Sequence, residues 1–187
     1  MRYIPLFLVL ASLSFAQPLS LGKPNEEKVH SSWLNMGFGI GVLSPTTTGY
    51  KEQGKAFFNP SILLGIQFAE LTATTFEFDI TAPNGGWGIW FGIEQQIMKT
   101  EVTPFVEAQV GARYPGKGKR GLEFGDVFGM GTSLNGGLIF FRESQFRIRL
   151  KGGYEFIFND NTDQSWGTEI AVLFAFGRAG LPVIKVN

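Results

Sequence analysis

The chain alternates apolar and polar residues with a period of two over eight separate stretches, and this pattern constrains its fold more than any other feature. Successive side chains of an extended strand point to opposite faces, so each stretch predicts a β-strand with one apolar and one polar face. The predicted strands span residues 33–43, 60–69, 74–82, 87–96, 104–114, 127–140, 146–158 and 166–177. Most of them have the 9 to 11 residues that a tilted strand needs to cross a bilayer.

The connection between the third and fourth strands predicts their register. Residues 83–86 read Pro-Asn-Gly-Gly, and Asn-Gly is the preferred pair for a two-residue type I′ hairpin loop. If Pro83 pairs with Gly86, Asp79 lies opposite Trp90, and the polar faces of the two strands coincide.

The N-terminus has the layout of a secretory signal. A basic start at Arg2 precedes an apolar run over residues 4–13 and a small-residue cleavage site at residues 14–16. The apolar run is far shorter than the ~20 residues of a membrane-spanning helix, which disfavours an uncleaved anchor. We therefore expect a signal peptide at 1–16, a polar lead at 17–32, a barrel at 33–177 and a short tail at 178–187.

Alternation alone leaves open which face points inwards. A soluble lipocalin-like barrel would place its apolar face around an internal cavity, whereas an outer-membrane barrel would turn that face to lipid. All charged residues of the eight stretches lie on the polar face, and we expect them to form a charge network in the lumen: Glu77, Asp79, Glu94, Glu107, Arg113, Arg147, Arg149, Lys151, Glu155 and Glu169.

Glycine decides in favour of the membrane barrel. The chain has 25 Gly, and within the strands nearly all lie on the polar face, Gly136 and Gly152 being the exceptions. Glycine in a water-exposed strand costs roughly 0.5–1 kcal/mol relative to alanine, whereas inside a narrow barrel it makes room for long charged side chains. We predict an all-β fold, an eight-stranded antiparallel up-and-down transmembrane β-barrel.

These strands, the signal and the alternating loop lengths resemble the small eight-stranded outer-membrane barrels of Gram-negative bacteria. That group contains the transmembrane domain of outer membrane protein A and the small OmpX and OmpW proteins. The resemblance implies an outer-membrane location with both termini in the periplasm, short turns near Leu71, Lys99 and Glu143, and outer loops at residues 44–58, 83–86, 115–126 and 159–165. One departure is that Phe174 and Phe176 precede an eleven-residue tail instead of ending the chain.

Composition removes several functional classes. The chain has no Cys, which excludes disulfides and thiolate metal sites, and its zero net charge lacks the basic field of a nucleic-acid-binding protein. Some similar barrels are enzymes that deacylate or palmitoylate lipid A, but the single His, His30, precedes the first strand. We therefore predict no catalytic, cofactor or metal site. The oxygen-rich residues 159–163 lack the Gly and distal Glu of an EF-hand loop.

The functional expectation is a non-enzymatic, monomeric outer-membrane barrel with a largely plugged lumen and surface-exposed loops. The expected partners are outer-membrane lipids, with lipopolysaccharide contacted through Lys117, Lys119 and Arg120, because cations bind phosphate by charge-assisted hydrogen bonds. A narrow pore or transporter for small solutes and a secreted lipocalin-like carrier remain as alternatives.

Overall fold

The structure, a computed structural model, describes residues 32–46, 56–69, 71–83, 85–116, 128–142, 144–159 and 162–179. These residues form eight strands: β1 (Ser32–Pro45), β2 (Phe57–Ala69), β3 (Thr72–Thr81), β4 (Gly85–Gln96), β5 (Val102–Gly116), β6 (Gly129–Phe140), β7 (Phe146–Phe158) and β8 (Gln164–Ala179). Each strand pairs antiparallel with its sequence neighbours, and β1 pairs with β8. The predicted all-β, eight-stranded up-and-down barrel is confirmed. The predicted signal peptide and His30 lie outside the described residues.

The two ends of the barrel differ in the length of their connections. At the end where β1 begins and β8 ends, the strands join through residues 70–71, 97–101 and 141–145. We call this the terminal end. The opposite end, which we call the loop end, carries the longer connections, at residues 46–56 and 117–128, together with residues 82–84 and 159–163. No helix that could cross a membrane occurs among the described residues.

The predicted register of the β3–β4 hairpin is wrong by two residues. Thr81 pairs with Gly86, so that Asp79 lies opposite Gly88 rather than Trp90. The backbone of Ala82 bonds instead to Phe58 of β2, with N–O distances of 3.1 and 2.8 Å, and the connection is therefore longer than a two-residue loop. A shift of two residues leaves every side chain on its predicted face.

Burial follows the predicted alternation, with the apolar face outwards. Phe38 is 66% exposed on the outer surface, whereas Asp79 on an inner face is fully buried at 0%. The outer face is predominantly apolar on all eight strands, and the ten charged side chains of the predicted network point inwards. This orientation contradicts the alternative of a carrier with an apolar cavity.

The interior also contains apolar side chains that the alternation did not single out. Leu43 and Phe57 contact each other inside the barrel near the loop end, and Leu63 packs with Ala171 and Leu173 nearer the terminal end. The sequence placed Phe57 in an outer loop, but β2 begins there and directs its ring inwards. These side chains reduce the free space inside the barrel beside β1, β2 and β8, the strands that carry few charged residues.

Candidate functional site

Near the loop end, one arginine joins two carboxylates from different strands. Arg113 of β5 donates through both terminal nitrogens to Asp79 of β3, at 2.8 and 3.0 Å, and its Nη2 also donates to Glu155 of β7 at 2.8 Å. Ser165 donates to the other oxygen of Glu155 at 3.1 Å. We call Asp79, Arg113 and Glu155 the loop-end cluster. Bidentate arginine–carboxylate pairs are among the strongest polar contacts in proteins, so this cluster ties three strands together across the lumen.

A larger group of charges fills the middle of the lumen and extends towards the terminal end. We call it the central cluster, and it consists of Glu77, Glu94, Glu107, Arg149, Lys151 and Glu169. Arg149 donates to Glu107 at 2.8 Å and to Glu94 at 3.1 Å. Lys151 donates to Glu77 at 2.5 Å. Because these groups are removed from water, each charge depends on its partners for stabilisation.

Neutral side chains complete the hydrogen bonding of these carboxylates. Thr75 donates to Glu107 at 2.7 Å, and Ser61 donates to Glu169 at 2.6 Å. Asn135 donates to the second oxygen of Glu107 at 3.1 Å. A buried carboxylate is tolerated only when its oxygens find donors, so these residues are part of the site although they carry no charge.

Aromatic rings lie beside the guanidinium groups of two buried arginines. Arg149 lies 4.5 Å from the ring centre of Phe105, and Arg113 lies 5.4 Å from that of Trp90. The Trp90 indole also donates to Asp79 at 3.2 Å. These cation–π contacts stabilise the two guanidinium groups in addition to their carboxylate partners.

Inward glycines leave the space that the ion pairs occupy. A Cβ on Gly88 would lie 2.5 Å from Asp79 Oδ2 and 3.1 Å from Arg113 Cζ. One on Gly152, which faces outwards, would meet no atom closer than 3.9 Å. At Gly88 the lack of a Cβ is therefore required by the bulk of the loop-end cluster.

The structure places all ten charged residues of the predicted network inside the barrel. The loop-end and central clusters contain nine of them, and the tenth, Arg147, lies at the terminal end, where its Nε donates to the Ser144 carbonyl at 3.2 Å. The predicted lipopolysaccharide contacts, Lys117, Lys119 and Arg120, lie outside the described residues.

Sequence reasoning missed Arg142, which is buried and donates through Nε to Gln96 Oε1 at 2.8 Å. It follows Phe141, whose φ of 57° interrupts the alternation just after β6. No periodic pattern reports such an interruption, so the inward direction of Arg142 had no signal in the sequence.

Asp163 at the loop end was also not predicted to be buried. Its carboxylate accepts a hydrogen bond from Asn159 at 2.8 Å, within the oxygen-rich segment 159–163 that lacks the features of an EF-hand loop. The described residues contain no group of three or more acidic or histidine side chains that could hold a metal ion.

Two cavities enclosed within the described part of the interior are small. One, of about 20 Å³, lies between the loop-end and central clusters and is lined by Glu77, Lys151 and Glu155 among others. Another, of about 30 Å³, is lined by Asn35, Glu94 and Arg149 with neighbouring apolar side chains. Pockets that bind drug-sized ligands measure about 300–1,000 Å³. Neither cavity could hold such a ligand.

Comparison with known proteins gives a fold but no family. No family model matches the chain, and no curated protein matches its sequence. Among solved structures, the barrel is similar to Neisserial surface protein A, with a TM-score of 0.54 and 13% identity over 78% of this chain and 97% of that one.

Two further structures align less closely. The N-terminal β-barrel domain of Pseudomonas aeruginosa OprF has a TM-score of 0.49 and 11% identity, over 76% of this chain and 97% of that one. The outer membrane enzyme PagL has a TM-score of 0.43 and 12% identity, over 74% of this chain and 98% of that one. The structural neighbours are small eight-stranded outer-membrane barrels, and at these identities the likeness concerns the fold alone.

Proposed function

We propose that this protein is a non-enzymatic integral barrel of a Gram-negative-type outer membrane, with a lumen closed to ions and loops that contact the cell exterior. The observation that carries the proposal is the position of Arg149. This residue is 1% exposed, extends from β7 to carboxylates of β4 and β5, and stacks on Phe105. A side chain held in this way both stabilises the barrel and obstructs its axis.

The outer surface supports placement in a bilayer. It is apolar around the barrel, and aromatic pairs lie near the loop end, where a membrane interface would be. The ring centres of Tyr154 and Trp166 lie 4.7 Å apart, and those of Trp87 and Tyr114 lie 6.4 Å apart. Soluble proteins rarely expose an apolar surface of this extent, because water contact with it is unfavourable.

The cost of separating buried charges supports the proposed closure of the lumen. An ion that passed the central cluster would have to displace Arg149 from Glu107 or Lys151 from Glu77. Removing one partner of a buried ion pair typically costs about 3–5 kcal/mol, so a conducting state would be sparsely populated. Eight strands also leave an interior that side chains can just fill.

The connection between β5 and β6 contains the three cations proposed to contact lipopolysaccharide. Lys117, Lys119 and Arg120 belong to the connection between β5 and β6, at the loop end. In a barrel with periplasmic termini this end faces outwards, where lipopolysaccharide phosphates would attract the three cations.

We propose a monomer in contact with outer-membrane lipids. The absence of catalysis rests on the sequence, whose single His precedes the barrel.

Two assays test membrane placement. The protein should fractionate with the outer membrane, and unboiled protein should migrate faster than boiled protein on a detergent gel, because a closed barrel stays compact until it is heated. Recovery in the soluble periplasmic or secreted fraction would refute the placement.

Planar-bilayer recording tests closure. We expect no steady single-channel currents from the wild-type protein, and currents from Arg149→Ser, which removes the side chain that crosses the lumen. Lys99→Ser is the matched control, since it removes an exposed cation outside the strands. Steady wild-type currents that change with Arg149→Ser but not with Lys99→Ser would instead establish the narrow pore.

A further inference from the structure

Two buried polar side chains line the same small cavity inside the barrel. Asn35 is an inward polar residue of β1 and is 8% exposed, and Arg149 lies on β7. Both border the cavity of about 30 Å³. Within the described part of the chain, Asn35 Oδ1 and Arg149 Nη1 are buried atoms without a hydrogen-bond partner. Native proteins leave few such atoms unsatisfied, because each has lost its hydration without replacement.

The cavity of about 20 Å³ contains a similar arrangement of buried polar atoms. Glu169 Oε1 is likewise without a hydrogen-bond partner among the described residues, although its other oxygen accepts from Ser61. Arg149 Nη1 and Lys151 Nζ each lie 3.6 Å from it, which is too far for a direct hydrogen bond. Glu169 and Lys151 both line the cavity of about 20 Å³. Polar groups at this separation are commonly bridged by water.

The hydrogen-bonding capacity of these atoms favours water over an anion or a metal cation as the ligand. Asn35 Oδ1 and Glu169 Oε1 only accept hydrogen bonds, whereas Arg149 Nη1 only donates them. An anion could not donate to either oxygen, and a metal cation would be repelled by Arg149 and Lys151. A buried water needs about 10–15 Å³ of such space, and it can donate and accept at once. Both cavities therefore have room for one or two water molecules.

We propose that the lumen contains two separate internal water sites. In the first, water accepts from Arg149 Nη1 and donates to Asn35 Oδ1. The second water donates to Glu169 Oε1 and accepts from Lys151 Nζ. The first site joins β1, which has no charged side chain among its described inward residues, to the charged network of β7. The two sites are distinct because different residues line the two cavities.

A crystal structure of the full chain grown with bromide in place of chloride tests the proposal. We expect a spherical density peak in each cavity, within about 3 Å of the named atoms and without anomalous signal at the bromide edge. An anomalous peak would show a halide site, and an empty cavity would show a dry interior. Either result would overturn the proposal. Bound water is expected whether or not the barrel conducts, so this result is independent of the bilayer recordings.

A pair of variants tests the role of Asn35. Asn35→Leu should abolish the peak beside Arg149 and retain the one beside Glu169. The control Met36→Leu changes the adjacent outward residue and should retain both. A peak unchanged in Asn35→Leu would contradict the proposed bridge. If Asn35→Leu does not fold, the wild-type maps still decide whether water occupies the cavities.

Discussion

Gly88→Ala should destabilise the barrel although it adds only one methyl group. The new Cβ would lie 2.5 Å from Asp79 Oδ2 and 2.8 Å from Trp90 Nε1, distances that carbon atoms do not tolerate. The short Asp79 side chain would have to move away from both of the groups that donate to Oδ2, Arg113 at 3.0 Å and Trp90 at 3.2 Å. The substitution therefore acts on the loop-end cluster rather than on the local backbone.

The size of the effect follows from those two bonds. A hydrogen bond to a charged group contributes about 1.5–3 kcal/mol, so their combined loss would cost about 3–6 kcal/mol if neither could re-form. Alanine recovers about 0.5–1 kcal/mol because it restricts the unfolded chain more than glycine does. Allowing for partial relaxation of Asp79, we expect the free energy of unfolding to fall by about 2–4 kcal/mol. With a urea dependence of about 1–3 kcal/mol per molar, the unfolding midpoint should fall by about 0.7–4 M.

Urea unfolding of the barrel in lipid vesicles, followed by tryptophan fluorescence and by migration on unboiled gels, measures this change. The matched control is Gly152→Ala, at an outward position where the added methyl group meets no atom closer than 3.9 Å. We expect this variant to be as stable as the wild type or slightly more so. Equal midpoints for the two variants would refute the explanation of the inward glycines.

The remaining predictions concern the outer face and the central cluster. Phe38→Arg, near the middle of β1, should cost about 2–4 kcal/mol in vesicles, whereas Phe58→Arg, near the loop end of β2, should cost about 0–1 kcal/mol. Equal costs in the same unfolding assay would argue against a bilayer around this surface. Lys151→Met or Glu77→Gln alone should cost about 3–5 kcal/mol, because each leaves a buried charge without its nearest partner. The double variant should cost clearly less than the sum, and additive losses in this double-mutant cycle would show that the pair is not coupled.

The strand pattern of this chain could be predicted from the sequence because the period of two is a local property. Alternation assigned Glu77 and Asp79 to one face of β3 and Phe76 and Phe78 to the other, and no distant residue was needed for that assignment. The direction of the faces also followed from local evidence, since glycines shared the charged face. Because side chains alternate with a period of two, a register error of two residues at the β3–β4 hairpin did not reverse any side chain.

The sequence did not show which charged side chains form ion pairs within the lumen, because those pairs depend on tertiary structure. Arg149 meets Glu107 and Glu94 across the barrel, and their separation is set by strand tilt and closure rather than by sequence distance. Inward apolar residues such as Leu43 and Phe57 interrupt the polar face, and the left-handed backbone at Phe141 turns Arg142 inwards. Within the predicted strands, the alternation and the position of the glycines determined which way the side chains point. Only the closed barrel determined which charges meet and how little space remains between them, because both depend on contacts between strands far apart in the chain.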